Sequence, residues 1–179
     1  MRKENGRPLR CMGGKQEIQC ICRVTATHAE YVRSDFTTAY DRTLDEFTRK
    51  VLYTAHRLLP DGISETAAER TGAVLSTCSG PESFLRETAA LMESDGYRRI
   101  NPSRFPHVML SCALSYLTLQ LRIHGPSCVL YDDYGNGTDA VKYCLTQLHC
   151  GRADDMVLIC ADEGGRMSGR LYRRRPGRK

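Results

Sequence analysis

The sequence predicts an α/β fold, with a layered, mixed β-sheet packed by helices. Three observations predict it. Strand-like runs alternate with helix-period segments along most of the 179 residues. Several of the strand runs are apolar throughout, as strands covered on both faces must be, so the sheet is parallel at least in part. No repeat or internal shift in composition marks a second domain, and the length is that of one ordinary core.

Residues 17–25 (EIQCICRVT) alternate and are rich in Ile, Val and Cys, which predicts the first strand. The polar stretch 31–41 reads as a loop. Leu44, Phe47, Val51, Leu52, Ala55, Leu58 and Leu59 then recur at helical spacing until Pro60-Asp61-Gly62 stops them. Residues 71–77 (TGAVLST) form a short buried strand. Pro81 opens a helix with Phe84, Leu85, Thr88, Leu91 and Met92 on one face, ending near Asp95-Gly96. After a proline-bounded loop, 108–123 (VMLSCALSYLTLQLRI) is almost wholly apolar, which predicts a helix buried on every side. Residues 127–131 are a strand, 138–150 a helix with Ala140, Val141, Cys144, Leu145 and Leu148 inward, and 156–161 (MVLICA) a last apolar strand. Beyond Gly164-Gly165 the pattern dissolves.

A hydrophobic content of 41% fits a soluble globular chain. No apolar run approaches the roughly 20 residues of a membrane span, and the start lacks the apolar block of a signal peptide. Nine cysteines, an odd number without a CxxC pair, read as small free hydrophobes rather than a metal site. A reducing cytoplasm suits them. The net charge of +5 divides unevenly: 1–15 carries +4 and 166–179 carries +7, which leaves −6 on 16–165. Such basic ends read as solvated tails. Nothing aromatic is interleaved with Arg173-Arg174-Arg175, so no nucleic-acid partner is expected.

Residues 125–140 (GPSCVLYDDYGNGTDA) read as a turn, a strand and a Gly-rich elbow that opens a helix. Many enzymes hold a nucleophile at such an elbow, where the helix N-terminus stabilises negative charge. The tip here is Tyr134. A phenol with a pKa of about 10 is rarely ionised at neutral pH, and Asp132 and Asp133 beside it disfavour a phenolate further.

Ordered landmarks across 44–163 carry a family resemblance. They are LDEFTRKVLYTAHRLL, RTGAVLSTCSG, INPSRFPHVMLSCALSYLTLQLRIHGPS and GRADDMVLICADE. In order and spacing they resemble the N-terminal half of the β-ketoacyl synthases, condensing enzymes of the thiolase superfamily. The resemblance implies a thiolase-like N-terminal half at 17–165, with a basic extension at 1–16 and a basic, disordered tail at 166–179. Counted from Gly125-Pro126-Ser127, the family's nucleophilic cysteine falls on Tyr134, so no catalytic residue is expected. The family's two catalytic histidines belong to its second half. His28, His56, His107, His124 and His149 read as structural, and Cys128 as a packed thiol.

A condensing-enzyme relative without its nucleophile is similar to the chain length factors, which pair with an active, full-length ketosynthase and close the far end of its acyl tunnel. No cofactor is implied, and an acyl carrier protein would be met only indirectly. Matched positions make Pro81, Phe84, Leu85, Thr88, Met109 and Tyr134 the candidate tunnel residues. Arg104, Phe105, Ser127, Val129 and Tyr131 are the candidate partner interface. In the full fold the 108–123 helix is covered by both halves; one half alone leaves an apolar patch for a partner. The alternative is a non-catalytic scaffold or a module that binds acyl carrier protein through its basic ends and Arg98-Arg99.

Overall fold

The computed structural model describes residues 17–38, 43–132, 137–165 and 167–175, with Arg99 described in its backbone alone. The first and last strands lie side by side. β1 (Glu17–Ala26) and β5 (Met167–Arg175) pair antiparallel, Glu17 opposite Arg175 and Ala26 opposite Met167, with a bulge at Cys20/Cys22. β5 pairs antiparallel with β4 (Asp155–Cys160), β4 runs parallel to β2 (Thr71–Thr77), and β2 runs parallel to β3 (Ser127–Tyr131). The mixed sheet therefore has the order β1-β5-β4-β2-β3.

The disordered tail expected at 166–179 is thus corrected: 167–175 is a strand inside the sheet. Its period of two is hidden because only one face is apolar in composition. Met167, Gly169 and Leu171 are buried toward one side, while Arg173 and Arg174 find carboxylates on the neighbouring strand and loop. Residues 1–16 and 176–179 lie outside the described residues.

Helices cover both faces. α2 (Glu46–Leu58) and α5 (Leu110–Leu121) pack on one, burying Phe47, Val51, Leu52 and Leu117 against Leu75, Val157 and Ile159. α6 (Thr138–His149) covers the other, with Cys144 and Leu148 on Val74, Met156 and Leu158. β2 and β4 are buried along their whole length because both sides are covered. α2 starts where Asp45 accepts the Thr48 amide at 3.0 Å.

Three expectations change. The segment 31–41 is not all loop, since α1 (His28–Val32) precedes and enters it behind a capping box of Thr27 and Glu30. α4 (Glu82–Asp95) buries Phe84 alone, and Leu85, Leu91 and Met92 are exposed. α5 buries only Ala113, Leu114, Leu117 and Leu121. Among the described residues α5 has one neighbouring layer and no second one, and Leu119 is 58% exposed. A single turn, α3 (Glu65–Ala68), completes the α-helices described. No helix among the described residues is long and apolar enough to cross a membrane.

Candidate functional site

Because β2, β3 and β4 are parallel, the loops after all three meet at one end of the sheet. Two aspartates organise that end. Asp162, just past β4, accepts at Oδ1 from Thr77 Oγ1 at 3.0 Å, from the Cys78 amide at 2.7 Å and from the Ser79 amide at 3.3 Å. Its carboxylate holds the small-residue turn after β2 in shape. Asp132, just past β3, donates its amide to the Thr77 carbonyl at 2.9 Å, and its Oδ2 accepts the Gly137 amide at the start of α6. Gly137 has φ +71°, and a Cβ there would lie 2.6 Å from Cys160 Sγ. Only glycine fits this elbow.

The thiols around the elbow are poor nucleophiles. Burial pushes the Cys160 and Cys128 thiols up, and the hydrogen bond to Asp162 pushes Cys78 up. Tyr134 lies outside the described residues, so its place at the elbow tip remains a reading of the sequence.

The candidate tunnel residues divide. Phe84 and Thr88 come together with the interface candidates Arg104 and Phe105, and with Leu91 and Ile100, around a groove of about 80 Å³. Pro81, Leu85 and Met109 do not line it; Pro81 is buried at the start of α4, whereas Leu85 and Met109 face outward at 41% and 51% exposure. Among the interface candidates, Ser127, Val129 and Tyr131 lie on β3, which has one hydrogen-bonded neighbour among the described residues and so is an edge of the described sheet. Val129 is half-buried, while Tyr131 and Phe105 are exposed. Leu119, Met109, Phe105 and Tyr131 leave this side of the molecule rich in uncovered apolar side chains. The outer side of α6 is instead polar, with an Asp139–Lys142 ion pair at 2.7 Å.

The sequence reading missed one cluster. His107, read as structural, is 3% exposed, with Nδ1 3.0 Å from Asp45 Oδ1. The same carboxylate oxygen accepts from Thr48 Oγ1 at 2.5 Å, and Cys112 Sγ lies 3.6 Å from the same ring nitrogen. Both contacts fall on one nitrogen, so the arrangement is not a nucleophile–base–orienter triad, which needs the two ring nitrogens to serve different partners. Burial, reinforced by the Asp45 charge, pushes the Cys112 thiol up. An Asp ahead of an apolar run signals the N-cap; nothing local signals a partner far along the chain. His124 meets Glu69 at 2.9 Å on the surface, and His28, His56 and His149 are exposed.

No family model and no curated protein matches the chain. Solved structures do. A structure of a type II polyketide synthase acyl-carrier protein in complex with its ketosynthase, bound to the hexaketide, has a chain similar to this one at TM-score 0.68 and 14% identity, over 79% of this chain and 51% of that one. The ishigamide ketosynthase/chain length factor gives TM-score 0.63 at 18% identity, over 76% and 45%. A ketosynthase in complex with its chain length factor from Xenorhabdus doucetiae gives 0.63 at 12%, over 80% and 63%.

The fold is thiolase-like. At these identities the likeness is one of fold, and the chain spans between 45% and 63% of the length of those three chains. Within this thiolase-like half, the described parts of the elbow stand where three parallel strands end, and the uncovered apolar side is the one that carries β3, α5 and α4.

Proposed function

We propose that the protein is a non-catalytic subunit of the chain-length-factor kind, which pairs with a full-length ketosynthase and shapes its acyl tunnel. The observation that carries this reading is the unfinished side of the molecule: an open strand edge at β3 beside the exposed Leu119, Met109 and Tyr131. Soluble proteins cover such surfaces, and a strand edge is most simply covered by another strand. Tyr134, which the sequence alone assigns to the nucleophile position, and the raised thiol pKa values of Cys160 and Cys128 supply no ready nucleophile, which favours a partner that holds the chemistry. The likeness to ketosynthase and chain-length-factor chains supports the same class. An acyl carrier protein would dock on the ketosynthase and meet this chain only indirectly.

The alternative, a carrier-protein module that binds through basic ends, loses part of its support. Arg173 and Arg174 are engaged by Asp155 and Asp154 and are not free for an acidic partner.

The test is co-expression with full-length ketosynthases of the same genome. A stable complex is expected, with longer products after Phe84→Ala. A chain that stays alone and leaves product length unchanged overturns the reading.

A further inference from the structure

Two cavities meet at one wall. On one side lies a charged cleft of about 560 Å³, whose lining includes Asp45, Glu46, Arg49 and Glu163. On the other lies the small groove with Leu91, Ile100 and Phe105 in its lining. Phe84, Glu87 and Arg104 border both, so these three side chains are the partition. Phe84 is the only buried side chain of α4.

The partition is fixed from two directions. The Arg104 guanidinium lies over the Phe84 ring, with Cζ 4.8 Å from the centroid, and is steered there by Glu87 at 3.9 Å. Such a cation–ring contact holds the ring and the guanidinium to one another. Beneath, His107 meets Phe84 edge-on at 6.1 Å and 77°, and is itself stacked on Tyr116 at 5.7 Å and 7°. The 3.0 Å contact with Asp45, at the start of α2, sets the orientation of the imidazole. Phe84 is therefore clamped rather than free to swing.

We infer that Arg104 is a specificity-determining residue and His107 a positioning residue, which together lock Phe84 as the fixed end wall of the groove. This inference rests on the tunnel-shaping reading above. An apolar chain end entering past Leu91 and Ile100 stops at the Phe84 ring. Removing the guanidinium frees the ring and joins the groove to the cleft. The added space is polar and charged, with Arg49 and Ser83 beside the carboxylates of Asp45, Glu46 and Glu163, which a saturated tail avoids but an oxygenated poly-β-keto chain tolerates. The limit on length would then be relaxed chiefly for oxygenated chains.

The experiment compares product-length distributions of the reconstituted complex carrying Phe84→Ala, Arg104→Ala, Arg104→Lys and His107→Phe. Arg104→Ala is expected to shift the main product by at least one extender unit, and Arg104→Lys to restore the parent length. His107→Phe is expected to broaden the distribution; a merely structural role would lower yield at constant length. If Phe84→Ala lengthens products and Arg104→Ala does not, the clamp is wrong while the tunnel-shaping reading stands. If neither changes length, that reading fails and takes the clamp with it.

Discussion

Arg173 forks onto Asp155 across neighbouring strands, Nε to Oδ1 at 2.7 Å and Nη2 to Oδ2 at 2.9 Å, and the two residues stand directly opposite in the β4–β5 register. Asp155 is 8% exposed, so removing the guanidinium strands a buried carboxylate. Arg173 is itself half exposed, which places the cost at the low end for such pairs. Arg173→Ala is expected to lower stability by about 1–2 kcal/mol in urea denaturation. Arg173→Lys recovers less than half of this, because an ammonium cannot fork. Deleting 167–175 removes the strand between β1 and β4 and abolishes folding.

Asp154, one residue earlier, gives a pH signature. It accepts from Arg70 Nε at 3.0 Å and Nη2 at 3.1 Å and also from Arg174 Nη2. The Arg70 hydrogen bond foremost, then that of Arg174, holds its carboxyl below the usual carboxylate range. A depressed folded pKa stabilises the protein above the unfolded value of about 3.9 and the gain is lost as pH falls through the lower folded value. Solvent reaches this pair, so the gain stays below about 1 kcal/mol. The melting temperatures of the parent and Asp154→Asn should differ by a constant amount above about pH 5 and converge on acidification below about pH 4. A gap that widens in acid contradicts the assignment.

Most of this fold is legible in the sequence because burial on both faces leaves a plain mark. TGAVLST and MVLICA can only be covered strands, and the periodic apolar positions of 44–59 and 138–150 locate their helices within a residue or two. The last strand is not legible, since SGRLYRRR carries its polar face in arginines whose carboxylate partners lie on other elements. The apolar run 108–123 predicts burial on every side, but the described residues bury one face of α5. In the site, the elbow and Phe84 are visible as local patterns. The Asp45–His107 pair and the placement of Arg104 over Phe84 depend on contacts between distant segments, and no local spacing announces them.

Gly137→Ala tests the elbow. The residue sits at φ +71°, and the new Cβ would press on Cys160 Sγ at 2.6 Å. Left-handed backbone costs a residue with a side chain about 1 kcal/mol, and overpacking adds about 1–3 kcal/mol. A loss of about 2–4 kcal/mol is therefore expected. Cys160→Ala removes the obstructing sulfur, so the double variant should lose less than the sum of the two single changes. Strict additivity would mean that Cys160 does not set the constraint.

The uncovered side of the molecule gives the sharpest separation of folding from assembly. Leu119 and Met109 are 58% and 51% exposed, so a charge there touches water in the isolated chain. Leu119→Asp and Met109→Asp should leave stability within about 0.5 kcal/mol of the parent, as surface changes do. In the complex with a ketosynthase each would bury an unpaired carboxylate, and affinity should fall at least tenfold, about 1.4 kcal/mol. Lys142→Ala, on the polar outer side of α6, is the control that should leave binding unchanged. Isothermal calorimetry reads all three. If Lys142→Ala weakens the complex and Leu119→Asp does not, the partner sits on α6, and the β3–α5 side is not its interface.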